Sequence, residues 1–230
     1  MSEPAVAIRG LAKSFFLHAQ GGVELRVLHG VSLDVRAGEC VALEGRSGAG
    51  KSTLLKCVYG SYRPSGGSIR VLGHEVVGAP ARKLLALRRE ALGYVSQFLR
   101  AVPRVPALDV VAEPLLERCG EDAEAARAAR RTAERLLLAL RVPMRLWGVP
   151  PATFSGGEQQ RVNIARALAS PRPVLLLDEP TASLDAENRA TVVALISELR
   201  RAGAAILGIF HDAQVRDALA TRVFDLERGR

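Results

Sequence analysis

Eight residues from 45 to 52 combine glycines with a lysine and a serine in a spacing that suits phosphate binding. The run Gly45-Arg46-Ser47-Gly48-Ala49-Gly50-Lys51-Ser52 matches the pattern G-x-x-x-x-G-K-[ST]. Glycines allow backbone N–H groups to turn towards phosphate oxygens, Lys51 supplies a cation, and the Ser52 hydroxyl is a ligand for Mg²⁺. An apolar run precedes the loop and a helical segment follows from Thr53. A strand, loop and helix in this order favour a nucleotide site over a simple glycine-rich turn.

A second glycine pair, Gly156 and Gly157, lies where a helix is expected to begin. Ser155 and Glu158 have the spacing of a capping box, which predicts a helix start whose first backbone N–H groups point outward. Glycines leave those groups uncovered, and the positive end of the helix dipole favours an anion. Capped helices are common, so the cap alone would indicate an ordinary helix start. The phosphate loop upstream and an acidic strand end downstream favour anion binding instead.

Two adjacent carboxylates, Asp178 and Glu179, follow the apolar run from 174 to 177. The run predicts a buried parallel strand, and open α/β sheets bind ligands at the carboxyl ends of their strands. Neighbouring strand side chains point in different directions, so the two acids are expected to divide their roles. We expect Asp178 to hold Mg²⁺, directly or through water, and Glu179 to polarise the attacking water. Solvated acids also occur at strand ends, and the phosphate loop is what favours catalysis here.

These motifs, with Gln97, the run Ser183-Leu184-Asp185 and His211, occur in the order found in ATP-binding-cassette (ABC) ATPases. The chain resembles that family over nearly its whole length. The resemblance implies an α/β ABC ATPase fold, with a RecA-like P-loop core, an antiparallel β-subdomain and an inserted helical subdomain. It implies one ATP-binding domain over residues 1–230, with the core and β-subdomain in 1–97 and 168–230 and the helical subdomain in 98–167. ATP and Mg²⁺ are the implied cofactors.

The resemblance also assigns roles to single residues. Gln97 would sense Mg²⁺ and the attacking water, His211 would contact the γ-phosphate, Asp185 would lie at a dimer seam, and Phe15 would stack on adenine. A histidine after a strand can instead pack or cap, and Phe15 can instead belong to the core. The expected catalytic residues are Glu179, His211, Gln97 and Lys51, and the expected metal ligands are Ser52, Gln97 and Asp178. The expected nucleotide ligands are Phe15, Gly45, Arg46, Ser47, Gly48, Ala49, Gly50, Lys51, Ser52, Thr53, Ser155, Gly156, Gly157 and Glu158.

Four stretches carry a narrower resemblance, to the PhnL-type ATP-binding proteins of the phosphonate carbon–phosphorus (C–P) lyase system. They are Phe16-Leu17-His18, Ser96-Gln97-Phe98-Leu99-Arg100, residues 153–166 and residues 208–212. This resemblance implies a subunit of the synthase that makes ribose 1-phosphonate 5-triphosphate, with the C–P lyase core complex as partner. Residues 87–116 also resemble lipoprotein-release and macrolide-efflux ATPases, so a transporter motor is the alternative. Either function implies a head-to-tail dimer, formed with a second copy or with a companion ABC ATPase.

Three positions depart from the usual family pattern, and one of them, Phe210 where many ABC ATPases have threonine, also occurs in the phosphonate group. Phe15 stands where tyrosine is commoner, which preserves stacking and removes a hydroxyl. Glu158 replaces the commoner glutamine and adds a negative charge near an incoming phosphate. If Glu158 accepts a hydrogen bond from the Ser155 N–H, as a capping box allows, that repulsion is reduced.

Composition restricts the class of protein. The 230 residues are 48% hydrophobic, enough for a substantial core, and no apolar run approaches the roughly 18 residues of a membrane span. We see no signal peptide, and three scattered cysteines favour reduced thiols, so we expect a cytoplasmic protein without a membrane span of its own. The net charge is +8, and most of the basic residues are arginines. Their arrangement shows no pattern typical of direct nucleic-acid binding. The basic residues Arg82, Lys83, Arg88, Arg89, Arg100 and Arg104 surround Gln97, either as a solvated helix face or as a docking surface.

Element signals agree with the expected layout. Residues 6–11, 25–35 and 68–72 are rich in β-branched side chains, which predicts an antiparallel sheet. Residues 107–118 and 121–141 have helical composition and period, with Glu124 and Arg127 spaced to form an ion pair. Residues 174–177, 205–209 and 223–226 predict the later strands of the core.

Overall fold

Two compact units make up the chain in the computed structural model, which describes residues 3–17, 22–97, 99 and 103–229. The core unit contains Met1–Tyr94, Arg172–Asp178 and Leu199–Arg230, and the helical unit contains Val95–Pro171 and Glu179–Glu198. The predicted helical insertion, residues 98–167, falls within the helical unit. Three residues used for the narrower resemblance, His18, Phe98 and Arg100, lie outside the described residues.

A five-stranded sheet forms the centre of the core unit. Its strands are β3 (Cys40–Glu44), β6 (Leu92–Val95), β7 (Val174–Asp178), β8 (Ala205–Ile209) and β9 (Arg222–Asp225), in the order β6-β7-β8-β3-β9. The pairs β7–β8, β8–β3 and β3–β9 are parallel. Every residue of β7 and β8 is buried, as expected of strands covered on both faces. The sequence therefore predicted β7 and β8 correctly from short apolar runs, whereas β6 was not predicted.

A second sheet in the core unit is antiparallel and has four strands. β1 (Val6–Leu17), β2 (Val23–Val35), β4 (Gly66–Val71) and β5 (His74–Glu75) are ordered β2-β1-β4-β5. The predicted strands are confirmed, and the first is six residues longer than predicted because bulges after Ile8 and Leu11 interrupt its alternation. Helix α1 (Lys51–Val58) starts at the phosphate loop, and Leu54, Leu55, Cys57 and Val58 pack into the common core.

The described part of the helical unit before residue 171 contains three α-helices. They are α3 (Ala107–Cys119), α4 (Ala123–Ala139) and α5 (Gly156–Ala169), and each packs against the other two. Asp122 starts α4 because its carboxylate accepts hydrogen bonds from the N–H groups of Glu124 and Ala125. The predicted Glu124–Arg127 pair is present at 2.8 Å. Both predicted helices are confirmed within two residues at either end.

The described residues also contain helices to which the sequence analysis gave no bounds. These are α2 (Ala81–Glu90), α6 (Ala186–Arg201) and α7 (Ala213–Leu219). All three cysteines are free thiols, and burial raises the pKa of Cys40 to about 12 and that of Cys57 to about 11. Both buried thiols are therefore protonated at neutral pH. Within the described ranges, no helix has the length and apolar character needed to cross a bilayer.

Candidate nucleotide-binding site

The phosphate loop has a backbone that only glycine adopts readily at several positions. Gly45, Gly48 and Gly50 have φ values of 139°, 83° and 94°. A Cβ atom on Gly50 would lie 2.7 Å from Val27 Cγ1, so this position has no room for another side chain. Gly50 is also the N-cap of α1, with no side chain hydrogen-bonded to the helix start. The first N–H groups of α1 are thus left for a ligand, as phosphate binding requires.

The Lys51 ammonium lies over its own loop. Its Nζ donates to the carbonyl oxygens of Gly45 at 2.6 Å and Arg46 at 2.8 Å. Arg46, Ser47 and Gly48 are exposed at the tip of the loop. A cation and a row of backbone amides around one turn form an environment suited to a polyphosphate.

A hydroxyl and a carboxylate beside the loop provide oxygen ligands for a metal. The Ser52 hydroxyl donates to Asp178 Oδ1 at 3.0 Å, and the Tyr94 hydroxyl donates to Asp178 Oδ2 at 2.9 Å. Magnesium at nucleotide sites takes one or two protein oxygens, with phosphate and water completing its shell. The described residues contain no group of three or more His, Cys, Asp or Glu side chains that could hold a metal ion. The predicted pair Ser52 and Asp178 therefore fits Mg²⁺, whereas Tyr94 was not anticipated.

A second aromatic ring and two lysines lie near Phe15, the residue predicted to stack on adenine. The Phe15 ring meets Tyr62 edge to face, with 5.4 Å between centroids. Lys13 Nζ lies 4.6 Å from the centroid of Phe15, and Lys56 Nζ lies 5.4 Å from that of Tyr62. Phe15 is only partly buried, so it is not a core residue of the kind considered above. Its stacking on adenine stays a prediction.

The capping box at the start of α5 is present with both of its hydrogen bonds. Glu158 N–H donates to Ser155 Oγ at 3.4 Å, and the Ser155 N–H donates to Glu158 Oε2 at 2.9 Å. The Ser155 hydroxyl also donates to Glu158 Oε2 at 2.7 Å. These bonds, the hydroxyl first, hold the pKa of Glu158 below its usual value. The carboxylate therefore stays ionised and folded back on its own cap, as the sequence analysis considered.

The second glycine of the pair is in close contact with another loop of the helical unit. A Cβ atom on Gly157 would lie 2.8 Å from the Ser183 carbonyl oxygen, whereas a Cβ on Gly156 meets nothing within 4 Å. Two residues further on, Asp185 precedes α6 and accepts hydrogen bonds from Asn188 N at 2.8 Å and Asn188 Nδ2 at 2.9 Å. These bonds hold the pKa of Asp185 below its usual value, the backbone bond first. The start of α5 and the loop before α6 are therefore one packed structure.

Replacing Gly157 with alanine should destabilise the protein by about 1–3 kcal/mol, the usual range for overpacking, because the Ser183 carbonyl must move. Urea unfolding monitored by circular dichroism measures the loss. Gly156→Ala is the matched control, since it adds the same methyl group one residue earlier in open space. We expect the control to unfold at or slightly above the wild-type midpoint. Equal midpoints for the two variants would contradict the contact with Ser183.

Glu179 lies immediately after β7 in a backbone conformation that is unusual for its type. Its φ is 53°, in the left-handed region, so the chain turns away from the strand direction at this residue. Glu179 Oε2 accepts a hydrogen bond of 3.2 Å from Gln97 Nε2. The following turn is held by Gln160 Nε2, which donates to the Pro180 carbonyl at 3.1 Å. Two predicted catalytic residues, Glu179 and Gln97, are therefore neighbours in the helical unit.

The segment after β8 contains the predicted histidine. His211 is exposed, and Asp212 caps α7 by accepting from the N–H groups of Gln214 and Val215. The Phe210 ring lies against Gly208, where a Cβ atom would come within 2.5 Å of it. A glycine on β8 thus makes room for Phe210, and the cap sets the position of His211. The contact of His211 with a γ-phosphate stays a prediction.

The candidate site residues divide between the two units. The phosphate loop, Asp178, Phe15 and His211 belong to the core unit, and Gln97, Glu179 and the start of α5 belong to the helical unit. Tyr94 is a site neighbour that sequence reasoning missed, and a tyrosine three residues before Gln97 on an apolar segment was the available signal for it. Ser183 was named as part of the run Ser183-Leu184-Asp185, but nothing in the sequence indicated its contact with Gly157.

Comparison with known proteins places these motifs in one family. The family model described as "ABC transporter" matches residues 28–182. The chain is 39% identical over 226 residues to the pyoverdine export ATP-binding/permease protein PvdT of Pseudomonas aeruginosa, covering 98% of this chain and 33% of that protein. It is 40% identical over 228 residues to the macrolide export ATP-binding/permease protein MacB 1/2 of Paracoccus denitrificans, covering 99% of this chain and 33% of that one. The chain therefore spans about a third of the length of these curated relatives.

A solved structure shows the same fold. The dimeric ATP-binding cassette MJ0796, in a post-hydrolysis state bound to ADP and Pi, superposes with a TM-score of 0.88 at 29% identity. The match covers 97% of this chain and 95% of that one. The predicted fold class is confirmed, including the parallel and antiparallel sheets and the helices.

Proposed function

Because the chain belongs to the ABC transporter family of ATPases, we propose that it hydrolyses ATP with Mg²⁺ to drive a membrane exporter. The observation that carries this proposal is the likeness to export ATP-binding/permease proteins, which are about 40% identical to this chain over nearly its whole length. The geometry of the nucleotide site fits the same function. The permease part is assigned to no particular polypeptide. It can belong to the same protein or to another.

The residues of the core unit would bind and orient the nucleotide. Backbone amides of the phosphate loop and Lys51 Nζ would neutralise the triphosphate, while Ser52 and Asp178 would hold the metal, which stabilises the charge that develops on the phosphates.

Glu179 and Gln97, in the helical unit, would act on the attacking water. Glu179 would orient and deprotonate it, and Gln97 would keep the Glu179 carboxylate in place. Phosphoryl transfer depends chiefly on positioning and electrostatics, and these residues supply both.

A dimer completes the proposed site. The start of α5 presents Gly156 with open space around it, Ser155 at the cap and the positive end of a helix. We place this end against the phosphate loop of a second cassette, so that each ATP contacts two chains. The dimeric post-hydrolysis form of MJ0796 supports the assembly. The partner cassette is a second copy or a companion ATPase.

The exporter is favoured over the phosphonate pathway considered in the sequence analysis. The reported relatives are exporters, and they do not support a C–P lyase partner.

Helix α2 offers a surface for the permease. Arg82, Leu85 and Arg89 are exposed along one face of it, with 57% of Leu85 accessible. A cavity of about 800 Å³ opens beside this helix, with Leu72, Leu84 and Leu87 among its walls. Arg88, which the sequence analysis grouped with these basic residues, does not share that face, because its Nε donates to the Tyr59 carbonyl at 2.9 Å. A segment of the permease with apolar and acidic side chains would match the exposed Leu85, Arg82 and Arg89.

Tagged protein purified from detergent-solubilised native membranes should bring down an integral membrane permease. Leu85→Glu should remove most of that permease while basal ATP hydrolysis is unchanged, because the residue lies on the exposed face of α2. A deletion strain should grow normally on methylphosphonate as the sole phosphorus source. Mass spectrometry of the purified complex and growth curves measure the two outcomes.

The matched control is Leu138→Glu, on α4, where the leucine is 55% accessible. This variant carries the same change at the same exposure and should keep the permease. Purification with C–P lyase proteins, together with lost growth on methylphosphonate, would reject the exporter and restore the phosphonate interpretation.

A further inference from the structure

A chain of side-chain contacts in the core unit connects helix α2 to Asp178. It contains Arg88 on α2, Tyr59 at the end of α1, Tyr94 on β6 and Asp178 at the end of β7. None of the residues before Asp178 belongs to the phosphate loop. These contacts connect an outer helix to Asp178, the predicted metal ligand.

Both oxygens of the Asp178 carboxylate are occupied by neutral hydroxyl donors. Ser52 donates to Oδ1 at 3.0 Å and Tyr94 donates to Oδ2 at 2.9 Å. The residue is 5% exposed, so little water reaches the carboxylate. Two donors on opposite oxygens fix the plane of the group. Oδ1, beside Ser52, would then be available to a metal held with Ser52, while Tyr94 holds Oδ2.

The Tyr94 ring is itself held in place. It contacts the Tyr59 ring at 5.1 Å between centroids with 33° between planes. Arg88 Cζ lies 4.5 Å from the centroid of Tyr59, and Arg88 Nε donates to the Tyr59 carbonyl at 2.9 Å. The guanidinium thus caps the carboxyl end of α1, where a cation is favoured, and stacks on the aromatic pair.

We propose that Tyr94 is a positioning residue for the magnesium site, acting through Asp178, and that Arg88 and Tyr59 keep its hydroxyl on Oδ2. Phenylalanine would fill the same space against Tyr59, so the hydroxyl adds nothing that packing requires. Its effect is on the carboxylate: without it, a buried Oδ2 loses its donor and the plane of Asp178 is free to rotate away from Ser52. The proposal rests on the proposed function, because it assumes that Ser52 and Asp178 hold Mg²⁺.

The test is Tyr94→Phe, with binding of the non-hydrolysable analogue AMP-PNP measured by calorimetry in EDTA and across a magnesium titration. We expect the affinity in EDTA to stay at the wild-type value and the half-saturating Mg²⁺ concentration to rise about tenfold, at the lower end of what loss of a partner to a metal ligand costs. ATP hydrolysis should show the same split, with a raised Mg²⁺ requirement and kcat at saturating Mg²⁺ within about threefold of wild type.

Two further variants make the result specific. Tyr59→Phe removes a hydroxyl from the same aromatic pair and keeps its ring contacts, so it should titrate as wild type. Arg88→Met removes the guanidinium from Tyr59 and should raise the Mg²⁺ requirement by less than Tyr94→Phe does.

The outcomes separate the two proposals. An unchanged Mg²⁺ requirement in Tyr94→Phe, or an equal loss of affinity in EDTA, would overturn the role of Tyr94. If Mg²⁺ fails to strengthen AMP-PNP binding in the wild-type chain, the metal site of the proposed function fails instead.

Discussion

Glu179→Gln will lower steady-state ATP hydrolysis by roughly 10²–10⁴-fold, the range for loss of a positioned general base. ATP binding will be retained, because Lys51, Ser52 and Asp178 are untouched. The amide has nearly the shape of the carboxylate, and its oxygen can still accept the hydrogen bond from Gln97 Nε2 that Glu179 Oε2 accepts at 3.2 Å. Phosphate release and equilibrium binding of ATP, measured on the same preparation, test both halves of the statement.

Glu121→Gln provides a control, because it makes the same substitution at an exposed residue before α4. It should hydrolyse ATP at the wild-type rate. We also expect the Glu179 variant to accumulate ATP-dependent dimers, visible by size-exclusion chromatography, since closed dimers can no longer open by hydrolysis. Near wild-type turnover in Glu179→Gln would remove this residue from the role of base.

Ser155→Arg should abolish ATP turnover although it leaves the phosphate loop intact. The substitution removes a cap that is worth about 1 kcal/mol, and it places a long cation over the helix end that the proposed dimer directs at ATP. It also replaces the hydroxyl that donates to Glu158 Oε2 at 2.7 Å. Lys51→Ala should be inactive for a different reason, loss of the phosphate-binding cation. Phosphate release from each purified variant measures the loss.

Mixing the two inactive variants tests whether the site is shared between chains. In a head-to-tail dimer of one Ser155→Arg chain and one Lys51→Ala chain, one of the two sites keeps both intact halves. Random mixing of equal amounts then restores up to about a quarter of wild-type turnover if the sites act independently. No recovery at any ratio, despite demonstrated mixed dimers, would favour an active site contained in one chain. If a companion ATPase exists, each variant must be paired with it as well.

The sequence predicted those parts of the fold in which chemistry and packing impose the same residues. The phosphate loop needs glycines, and Gly50 meets Val27 in the structure, so the motif marks both the ligand site and the close approach of β2. The short apolar run before Asp178 favoured a covered strand, and β7 is buried at every residue. The capping box at Ser155 and Glu158 is a local interaction, and local interactions can be inferred from spacing.

Other parts depended on contacts distant in sequence. Helix α2 buries only Leu87, and its N-cap, Pro80, makes no side-chain hydrogen bond, so no capping residue marks its start in the sequence. The hydrogen bond from Tyr94 to Asp178 requires β6 and β7 to be neighbours in the sheet, which no local pattern reveals. Arg88 was grouped with an exposed basic surface because its stacking on Tyr59 depends on how α2 meets the end of α1. The 2.8 Å approach of Gly157 to Ser183 was invisible for the same reason.

The left-handed backbone at Glu179 has a consequence for how this sequence can change over time. A non-glycine residue in that conformation costs on the order of 1–2 kcal/mol, so glycine would make the folded chain more stable at this position. A change from this glutamate to glycine would therefore raise stability, and nothing would oppose it once ATP hydrolysis is no longer needed. A cassette kept only for binding should lose this glutamate early and gain stability by doing so. On the proposed role of Glu179 as the general base, selection for turnover would oppose that gain.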